Sequence, residues 1–106
     1  MKLHGLMITL LLVGCQSTPT VCEKDPKAQI CIQSQYQYNT YIALQEFETK
    51  KSKKAFALAQ TKDDWEFFGY AEGYSSQREA NERALTECQN RVIKRQKEAT
   101  CELIRN

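Results

Sequence analysis

Residues 68–74 place small side chains on one parity and mostly aromatic side chains on the other, which restricts what can pack on either side of them. Successive side chains of a β-strand point to opposite faces of a sheet. The two sets fall on opposite parities: Gly69, Ala71 and Gly73 on one, and Phe68, Tyr70 and Tyr74 on the other. This alternation predicts a strand with one face so low in side-chain volume that a helix can lie directly against it.

The next segment has the signals of such a helix. Ser76 and Glu79 have the spacing of a capping box, which is typical of a helix start. The apolar positions that follow form a narrow stripe of mostly small residues: Ala80, Ala84, Leu85, Cys88 and Val92. We therefore predict a Ser-capped helix over residues 76–95 that covers the small-residue face of the sheet.

Two further strands complete a small sheet. Residues 55–60 alternate between large apolar side chains and alanines, and residues 61–64 have turn composition, so a hairpin with the following strand is predicted. Residues 100–105 form a last short strand, with Cys101 and Leu103 toward the helix. The prediction is an α+β fold with a three-stranded antiparallel sheet and residues 55–60 in its centre.

The N-terminal segment over residues 25–50 fits two kinds of element. Asp25 and Pro26 suit the N-cap and the first position of a helix. Alternate apolar positions between residues 30 and 44 favour a strand, whereas the good helix formers over residues 41–47 favour a helix. We predict a helix that ends near Lys50, with a strand over residues 30–44 as the alternative.

We expect this N-terminal helix to cover the aromatic face of the sheet. An uncovered face would expose a larger apolar patch than soluble monomers normally tolerate. The predicted contacts join two sets of residues: Tyr38, Tyr41 and Leu44 on the helix, and Phe68, Tyr70 and Ile104 on the sheet. The competing interpretation is a partner that docks on that face.

The first fifteen residues have the parts of an export signal, with a cation at Lys2, an apolar run over residues 6–13 and a small residue before Cys15. The run is too short to span a bilayer, which takes roughly 20 apolar residues. The order Leu-Val-Gly-Cys at residues 12–15 resembles the lipobox of bacterial lipoprotein precursors. The resemblance implies a signal peptide over residues 1–14 and lipidation of Cys15, including palmitate-type acyl chains. The alternative is an ordinary signal peptide that ends in cysteine.

The same resemblance implies a location, while composition and length predict the order of tether and domain. Gln16, rather than Asp, follows the cysteine, which in Gram-negative lipoproteins implies transfer to the outer membrane, on the leaflet that faces the periplasm. Residues 15–21 then form a lipidated tether. Residues 22–106 form a single domain, made of a helical segment over residues 25–50 and a sheet and helix unit over residues 54–106.

Four cysteines remain beside Cys15, and an even number in an exported chain predicts disulfides. Three connectivities are open, and proximity in sequence favours two pairs: Cys22 with Cys31, and Cys88 with Cys101. The second pair would contribute roughly 3 kcal/mol in the chain-entropy model. A redox or metal site is the minor alternative, because no Cys-x-x-Cys motif is present.

Composition argues against several activities. The only histidine, His4, lies within the predicted signal, which excludes Ser/His and Cys/His catalytic pairs and the usual zinc ligand sets in the mature protein. Loss of Lys2 leaves fourteen of the 15 Lys and Arg residues beside 13 acidic residues, so nucleic acid is not an expected partner. We expect the protein to have no enzymatic activity, no metal site and no cofactor other than covalent lipid at Cys15.

Three carboxylates and two serines are the groups that could take part in metal binding or catalysis. Asp63, Asp64 and Glu66 surround the predicted turn, where neighbouring side chains point in different directions, whereas hard metal ions need several converging oxygens. Ser75 and Ser76 precede the helix, and capping explains them without a catalytic role. The structural interpretation is favoured for both sets.

The lysine-rich run over residues 50–54 could touch anionic lipid or lipopolysaccharide phosphates near a membrane. A solvated connector at the basic end of a helix is the favoured interpretation. The predicted partner-binding residues are instead aromatic, because one helix covers only one face of the sheet: Trp65, Phe68, Tyr70 and Tyr74.

A second resemblance covers about half of the chain. It rests on Lys-Ala-Phe-Ala at residues 54–57, Phe-Gly-Tyr-Ala-Glu-Gly-Tyr-Ser-Ser at residues 68–76, Glu-Ala at residues 79–80, Ala-Leu at residues 84–85, and two cysteines, Cys88 and Cys101. These motifs resemble a small exported bacterial domain of unknown function. The resemblance implies a strand hairpin, a Ser-capped helix and a disulfide-tied final strand, and it implies no catalytic residues.

Address, size and composition together predict a non-enzymatic lipoprotein that serves as an accessory or binding module of the cell envelope. The expected partners are the membrane, through the lipid anchor, and an envelope protein. The first alternative is a small envelope inhibitor or exclusion factor that binds one partner through Trp65, Tyr70 or Tyr74. A small enzyme is the less favoured alternative, and the sequence leaves the oligomeric state open.

Overall fold

The computed structural model describes residues 19–106 and has the predicted α+β fold. Two 3-10 turns, Gln29–Cys31 and Gln33–Gln35, separate the first two helices. The helices and strands, in chain order, are α1 Val21–Lys24, α2 Tyr38–Phe47, β1 Ala55–Gln60, β2 Glu66–Ala71, α3 Gln77–Lys94 and β3 Glu102–Arg105. Residues 1–14 and Cys15, where the signal and the lipid attachment are predicted, lie outside the described residues.

The three strands form one antiparallel sheet in the order β2-β1-β3, so the β1 strand is central as predicted. The β1–β2 hairpin pairs Ala57 with Gly69 and Phe56 with Tyr70. Pairing of β1 with β3 shifts by one residue between Phe56 and Ala57. This hairpin sets the two faces of the sheet, one of small residues and one of aromatic residues.

Helix α3 covers the small-residue face, as predicted. A Cβ atom built on Gly69 would lie 2.4 Å from the backbone nitrogen of Cys88 and 2.6 Å from the carbonyl oxygen of Ala84. The helix begins at the Ser76 cap, whose Oγ accepts a hydrogen bond from the backbone N–H of Glu79 at 3.1 Å. The Glu79 carboxylate accepts from Ser75 Oγ at 3.0 Å, so the cap forms but the reciprocal half of the predicted box does not.

The N-terminal segment covers the aromatic face, as expected, although through partly different residues. The buried cluster on this face consists of Leu44, Phe47, Phe56, Leu58 and Ile104. Tyr38 is 76% exposed and Tyr41 is 43% exposed, so the predicted role of these two tyrosines is wrong. Because α2 begins at Tyr38, its inward positions at helical spacing are Thr40, Leu44 and Phe47.

The predicted helix start at Asp25 is wrong, because Asp25 ends helix α1. Thr20 is the N-cap of α1 and forms a capping box with Glu23 in both directions. Thr20 is buried, so the fold begins within the segment that was predicted to be a tether. The continuous helix predicted over residues 25–50 is replaced by the two 3-10 turns and by α2.

Two disulfides hold these elements together, in the pairing that proximity favours. The Cys22–Cys31 bond joins α1 to the first 3-10 turn. The Cys88–Cys101 bond joins α3 to the residue before β3, and Cys88 is completely buried. Each bond therefore fastens a terminal segment to the element that covers one face of the sheet.

Lys54 ties the connector after α2 back to the end of that helix. The Lys54 ammonium group donates hydrogen bonds to the carbonyl oxygens of Phe47, Glu48 and Lys50 at 3.0, 3.0 and 3.2 Å. Cations suit this end of a helix, because its last carbonyl groups carry partial negative charge. Within residues 19–106, none of the helices combines the length and the apolar character needed to cross a membrane.

Candidate functional site: a polar cleft beside the hairpin turn

A cleft of about 600 Å³ lies between the β1–β2 turn and the two 3-10 turns of the N-terminal segment. Its volume is in the range of small-molecule binding sites. Most of the side chains around it are polar: Gln29, Gln35, Gln37, Gln60, Thr61, Lys62, Asp64, Trp65 and Glu66. We call this feature the hairpin cleft.

The floor of the hairpin cleft is a tightly bonded turn. The backbone N–H of Thr61 donates to the carbonyl oxygen of Trp65 at 2.9 Å, and the backbone N–H of Trp65 donates to Thr61 Oγ1 at 2.9 Å. Asp64 has a positive φ of 71°, a conformation that aspartate adopts more easily than most residues. The turn thus presents the Lys62, Asp64 and Trp65 side chains from a fixed backbone.

Gln37 and Glu66 join the two sides of the cleft. The backbone N–H of Gln37 donates to Glu66 Oε1 at 2.9 Å, and the amide of Gln60 donates to Glu66 Oε2 at 2.8 Å. The Gln37 side-chain amide also donates to the carbonyl oxygen of Asp64. Glu66 is therefore an acceptor that positions the N-terminal segment against the hairpin.

Trp65 belongs to the turn beside the cleft, and its indole is held on the small-residue face of the sheet. Its ring stacks on Phe67 with centroids 5.7 Å apart. The Arg95 guanidinium carbon lies 5.3 Å and the Lys97 ammonium nitrogen 4.8 Å from the ring centroid, within the range of cation–π attraction. These contacts place the indole beside the residues that follow α3, while the backbone of Trp65 belongs to the turn beside the cleft.

Lys97 also binds the turn directly. Its ammonium group donates to Asp63 Oδ2 at 2.7 Å. The Thr61 hydroxyl donates to the other oxygen of the same carboxylate, Oδ1. These hydrogen bonds lower the pKa of Asp63 below its ordinary value, and the bond from Lys97 has the larger effect. Asp63 is thus an ion-pair partner that fastens the segment after α3 to the turn.

Tyr36 packs against the aromatic-face cluster, between the 3-10 turns and α2. Its hydroxyl donates to the carbonyl oxygen of Ile30 at 2.6 Å. Burial raises the pKa of Tyr36, because it removes the phenolate from water; the Glu66 carboxylate adds to the rise and the Arg105 guanidinium opposes it. This half-buried hydroxyl closes the short loop that brings Gln29 and Gln35 to the cleft.

The structure separates the carboxylates that the sequence grouped. Asp63 pairs with Lys97, Glu66 with the two glutamines, and Asp64 lines the hairpin cleft. Among residues 19–106 there is no group of three His, Cys, Asp or Glu side chains that could hold a metal ion. Ser75 and Ser76 both serve the start of α3.

The four predicted partner-binding aromatic residues also lie in different places. Trp65 lines the hairpin cleft. Phe68 and Tyr70 both stack on Phe56, on the aromatic face, at centroid distances of 5.6 and 6.3 Å. Tyr74 lies beyond β2, where its backbone N–H donates to the carbonyl oxygen of Lys53. Only Trp65 therefore belongs to the cleft.

Four glutamines of the cleft were not predicted from the sequence: Gln29, Gln35, Gln37 and Gln60. They belong to no short motif and come together only because the N-terminal segment folds back onto the hairpin. The signal that was available is the density of glutamine before α2, with four between residues 29 and 37.

Among known proteins, no protein family, curated protein or solved structure matches this chain. The resemblances to bacterial lipoprotein precursors and to a small exported domain therefore stay predictions from the sequence.

Proposed function

We propose that this protein is an outer-membrane lipoprotein on the periplasmic side, where it acts as a non-enzymatic accessory or binding module of the cell envelope. The observation that carries the binding role is the hairpin cleft, a cavity lined mostly by polar side chains between the hairpin turn and the N-terminal segment. Ligand sites commonly combine such a concave shape with a few oriented polar groups.

Two carboxylates at or beside the cleft, Glu66 and Asp63, serve as hydrogen-bond acceptors within the fold. A general acid or base must have its carboxyl group within reach of a substrate proton. Both Glu66 oxygens instead accept hydrogen bonds from Gln37 and Gln60, and the Asp63 carboxylate is paired with Lys97. These carboxylates hold the cleft together, which is the role expected of structural groups around a binding site.

The proposed address rests on the lipobox-like order at residues 12–15 and on the state of the other cysteines. All four cysteines after Cys15 are in disulfides. Disulfides of this kind are typical of exported proteins and rare in reducing compartments. An oxidised domain directly after a lipobox-like sequence supports a location in the bacterial envelope.

The proposed location and lipidation are tested with the Cys15→Ser variant of the full chain, expressed in a Gram-negative host. The wild-type protein is expected in the outer-membrane fraction, without residues 1–14 and with the added mass of acyl chains. The variant is expected to be soluble or to keep the full-length mass, because it lacks the thiol that carries the lipid. The measurements are membrane fractionation and intact mass.

Ser17→Ala is the matched control, because it changes one oxygen two residues away and leaves residues 12–15 intact. It should fractionate as the wild type does. If the Cys15→Ser protein kept the location and the mass of the wild type, the lipoprotein assignment would be wrong.

A second candidate is the envelope inhibitor that binds one partner through aromatic residues. Tyr70 and Tyr74 support it, because they are 40% and 38% exposed. Crosslinking in intact cells followed by affinity recovery distinguishes the two roles. A single enzyme lost on double substitution of Tyr70 and Tyr74 by alanine would favour the inhibitor, whereas recovery of several structural envelope components would favour the accessory module.

A further inference from the structure

We propose that the outer edge of strand β2 binds an extended peptide of a partner protein, in which acidic and apolar residues alternate. This surface is distinct from the hairpin cleft. The inference deepens the proposed function, since it rests on the chain being a binding module and names the chemistry of a partner. Three observations carry it: the outward backbone groups of β2, the arginines beside them, and the aromatic side chains on the other face.

Strand β2 lies at one edge of the sheet, because the strand order is β2-β1-β3. The backbone N–H of Thr61 donates to the Trp65 carbonyl oxygen, and hydrogen-bonded pairs alternate along an antiparallel register from that pair onward. The N–H and C=O groups of Phe68 and Tyr70 therefore point away from β1. Within the part of the chain that the structure describes, the hydrogen bond found on these outward groups is the one that Phe68 accepts from Arg91.

Arg91 covers this edge without closing it. From α3 it reaches around the edge, where its guanidinium donates to the Phe68 carbonyl oxygen at 2.8 Å. The guanidinium carbon lies 5.5 Å from the centroid of the Phe68 ring. Cationic side chains often protect a free edge in this way, but water competes for the bond because Arg91 is exposed. An incoming strand can supply its own N–H to the carbonyl and leave the guanidinium free for a carboxylate.

The cations beside the edge have the spacing of alternate residues in a strand. Arg91 and Arg95 are four residues apart, about 6 Å along the axis of α3. Arg91 lies beside Phe68 and Arg95 beside Trp65, so the pair runs along β2 toward the turn. Side chains on one face of an extended peptide recur about every 6.6 Å. Neither arginine takes part in the ion pairs found within the described chain, so two alternate carboxylates of a peptide would match them.

Aromatic side chains provide the second face of the docking surface. Phe68 and Tyr70 both stack on Phe56 on the aromatic face of the sheet. Tyr70 is exposed and Phe68 is half-buried, so both retain surface for further contact. In a strand added to β2, the side chains between the acidic ones would point to this face. Added strands gain affinity from backbone hydrogen bonds and specificity from alternate side chains, which predicts acidic and apolar residues in turn.

A second copy of this chain fits the edge less well. Two antiparallel β2 strands related by a two-fold axis and centred on Phe68 would bring the two Arg91 guanidinium groups together. Like charges placed opposite each other are destabilising. The acidic residue of β2, Glu66, cannot compensate, because its two oxygens already accept hydrogen bonds from Gln37 and Gln60.

The test measures the binding of short dye-labelled peptides to the full chain, purified in a non-ionic detergent, by fluorescence anisotropy. The first peptide is Glu-Val-Glu-Val-Glu-Val flanked by glycines, and the second has Lys in place of Glu. Two further forms of the acidic peptide are N-methylated, one at the glutamates and one at the valines. Since alternate N–H groups of a strand face opposite edges, only one of these forms lacks the donors that face β2. Saturable binding of the acidic peptide is expected, with none for the lysine peptide and loss in one N-methylated form.

Arg91→Glu tests the charge of the site, and Arg78→Glu is its control. Both arginines are exposed on α3, but Arg78 lies on the first turn, about 20 Å along the helix from Arg91. Arg91→Glu should weaken binding of the acidic peptide about tenfold or more, because an attraction becomes a repulsion. Arg78→Glu should leave binding unchanged. Equal circular dichroism spectra and thermal midpoints for the two variants would show that the fold is intact.

The proposal is overturned by any of three results. The first is no change in anisotropy with the acidic peptide at concentrations up to about 1 mM. The second is equal binding of the two N-methylated forms, and the third is equal affinity of the Arg91→Glu protein and the wild type. Self-association of the chain in place of peptide binding would also overturn it, in favour of a second copy. These results are independent of the Cys15→Ser fractionation, so failure of the peptide site and failure of the lipoprotein assignment can be told apart.

Discussion

The two faces of the sheet are covered in opposite ways. On the small-residue face, α3 lies so close to β2 that a single added carbon at Gly69 would meet the helix backbone. On the aromatic face, the gap between sheet and covering segment is filled by large side chains, chiefly Phe47, Phe56 and Leu44. Packing on the small-residue face therefore requires small side chains, whereas packing on the aromatic face requires large ones.

The difference also separates structural from functional surface. The α3 face is sealed along its length by one regular helix with a Ser76 cap. The aromatic face is covered by α1, two 3-10 turns and α2, joined by short irregular stretches and the Cys22–Cys31 bond. This irregular N-terminal segment places its two 3-10 turns and their glutamines beside the turn of the hairpin. The hairpin cleft arises from that irregularity.

The largest effect is expected from Phe47→Ala, which tests the dependence of the aromatic face on volume. Phe47 is completely buried, and its ring meets that of Phe56 edge to face at 5.4 Å. Loss of the ring should reduce the free energy of unfolding by about 3–5 kcal/mol, since it leaves a cavity between α2 and the sheet. Urea unfolding followed by circular dichroism measures the loss.

Tyr38→Ala is the control, because this tyrosine of the same helix is 76% exposed. It should change the free energy of unfolding by less than about 0.5 kcal/mol. Similar losses for the two variants would mean that α2 does not seal the aromatic face through Phe47.

A smaller effect is expected from Gly69→Ala, which tests the opposite dependence. The added Cβ would meet the Cys88 nitrogen and the Ala84 oxygen, and neither backbone atom can move without a shift of α3. The free energy of unfolding should fall by about 3 kcal/mol. The same urea unfolding measures it, and a crystal structure of the variant should show α3 displaced from β2.

Gly73→Asn is the comparison for Gly69→Ala. Gly73 has a φ of 69°, which asparagine tolerates, and an added Cβ there meets no atom within 4 Å. The cost should stay below about 1 kcal/mol. If Gly69→Ala were no more costly than Gly73→Asn, the close approach of α3 would not limit that face.

The smallest effect, and one that depends on pH, is expected from Tyr36→Phe. Loss of the hydrogen bond to the Ile30 carbonyl should cost about 1 kcal/mol near neutral pH. Because the folded protein raises the pKa of Tyr36 above 10.0, burial of the neutral phenol stabilises the fold below pH 10. That contribution is lost as the pH rises through 10 toward the raised pKa.

The measurement for Tyr36→Phe is therefore the free energy of unfolding between pH 8 and pH 11. The wild type should lose stability more steeply than the variant above pH 10, and the two curves should approach each other. Parallel curves would show that Tyr36 ionises as freely in the folded protein as in the unfolded chain.

The sequence predicted the hairpin and α3 well because each carries a local signal. Alternation set β1 and β2, and Ser76 marked the start of α3. The N-terminal segment was harder, since Asp25 and Pro26 are as suitable after a helix as before one. Thr20 and Glu23 have the spacing of a capping box, which is a sequence signal for a helix that starts before Asp25.

The candidate site was mostly beyond prediction. Trp65 was predicted as a partner-binding residue because one helix covers only one face of the sheet, and its position beside a cleft was not predicted. The cleft, however, depends on a long-range contact, in which Gln37 bonds to Glu66 and Asp64 across the fold. Residues that meet through an irregular segment share no periodicity, so no pattern in the sequence placed the glutamines beside the turn.

The buried Thr20 cap limits how far the domain can move in the proposed lipoprotein. Thr20 follows Cys15 by five residues, and five extended residues span at most about 18 Å. The domain could rotate and diffuse laterally with its lipid, but it could not leave the layer of periplasm next to the bilayer. A ligand fixed deeper in the envelope would be out of reach unless another molecule brought it to the membrane surface.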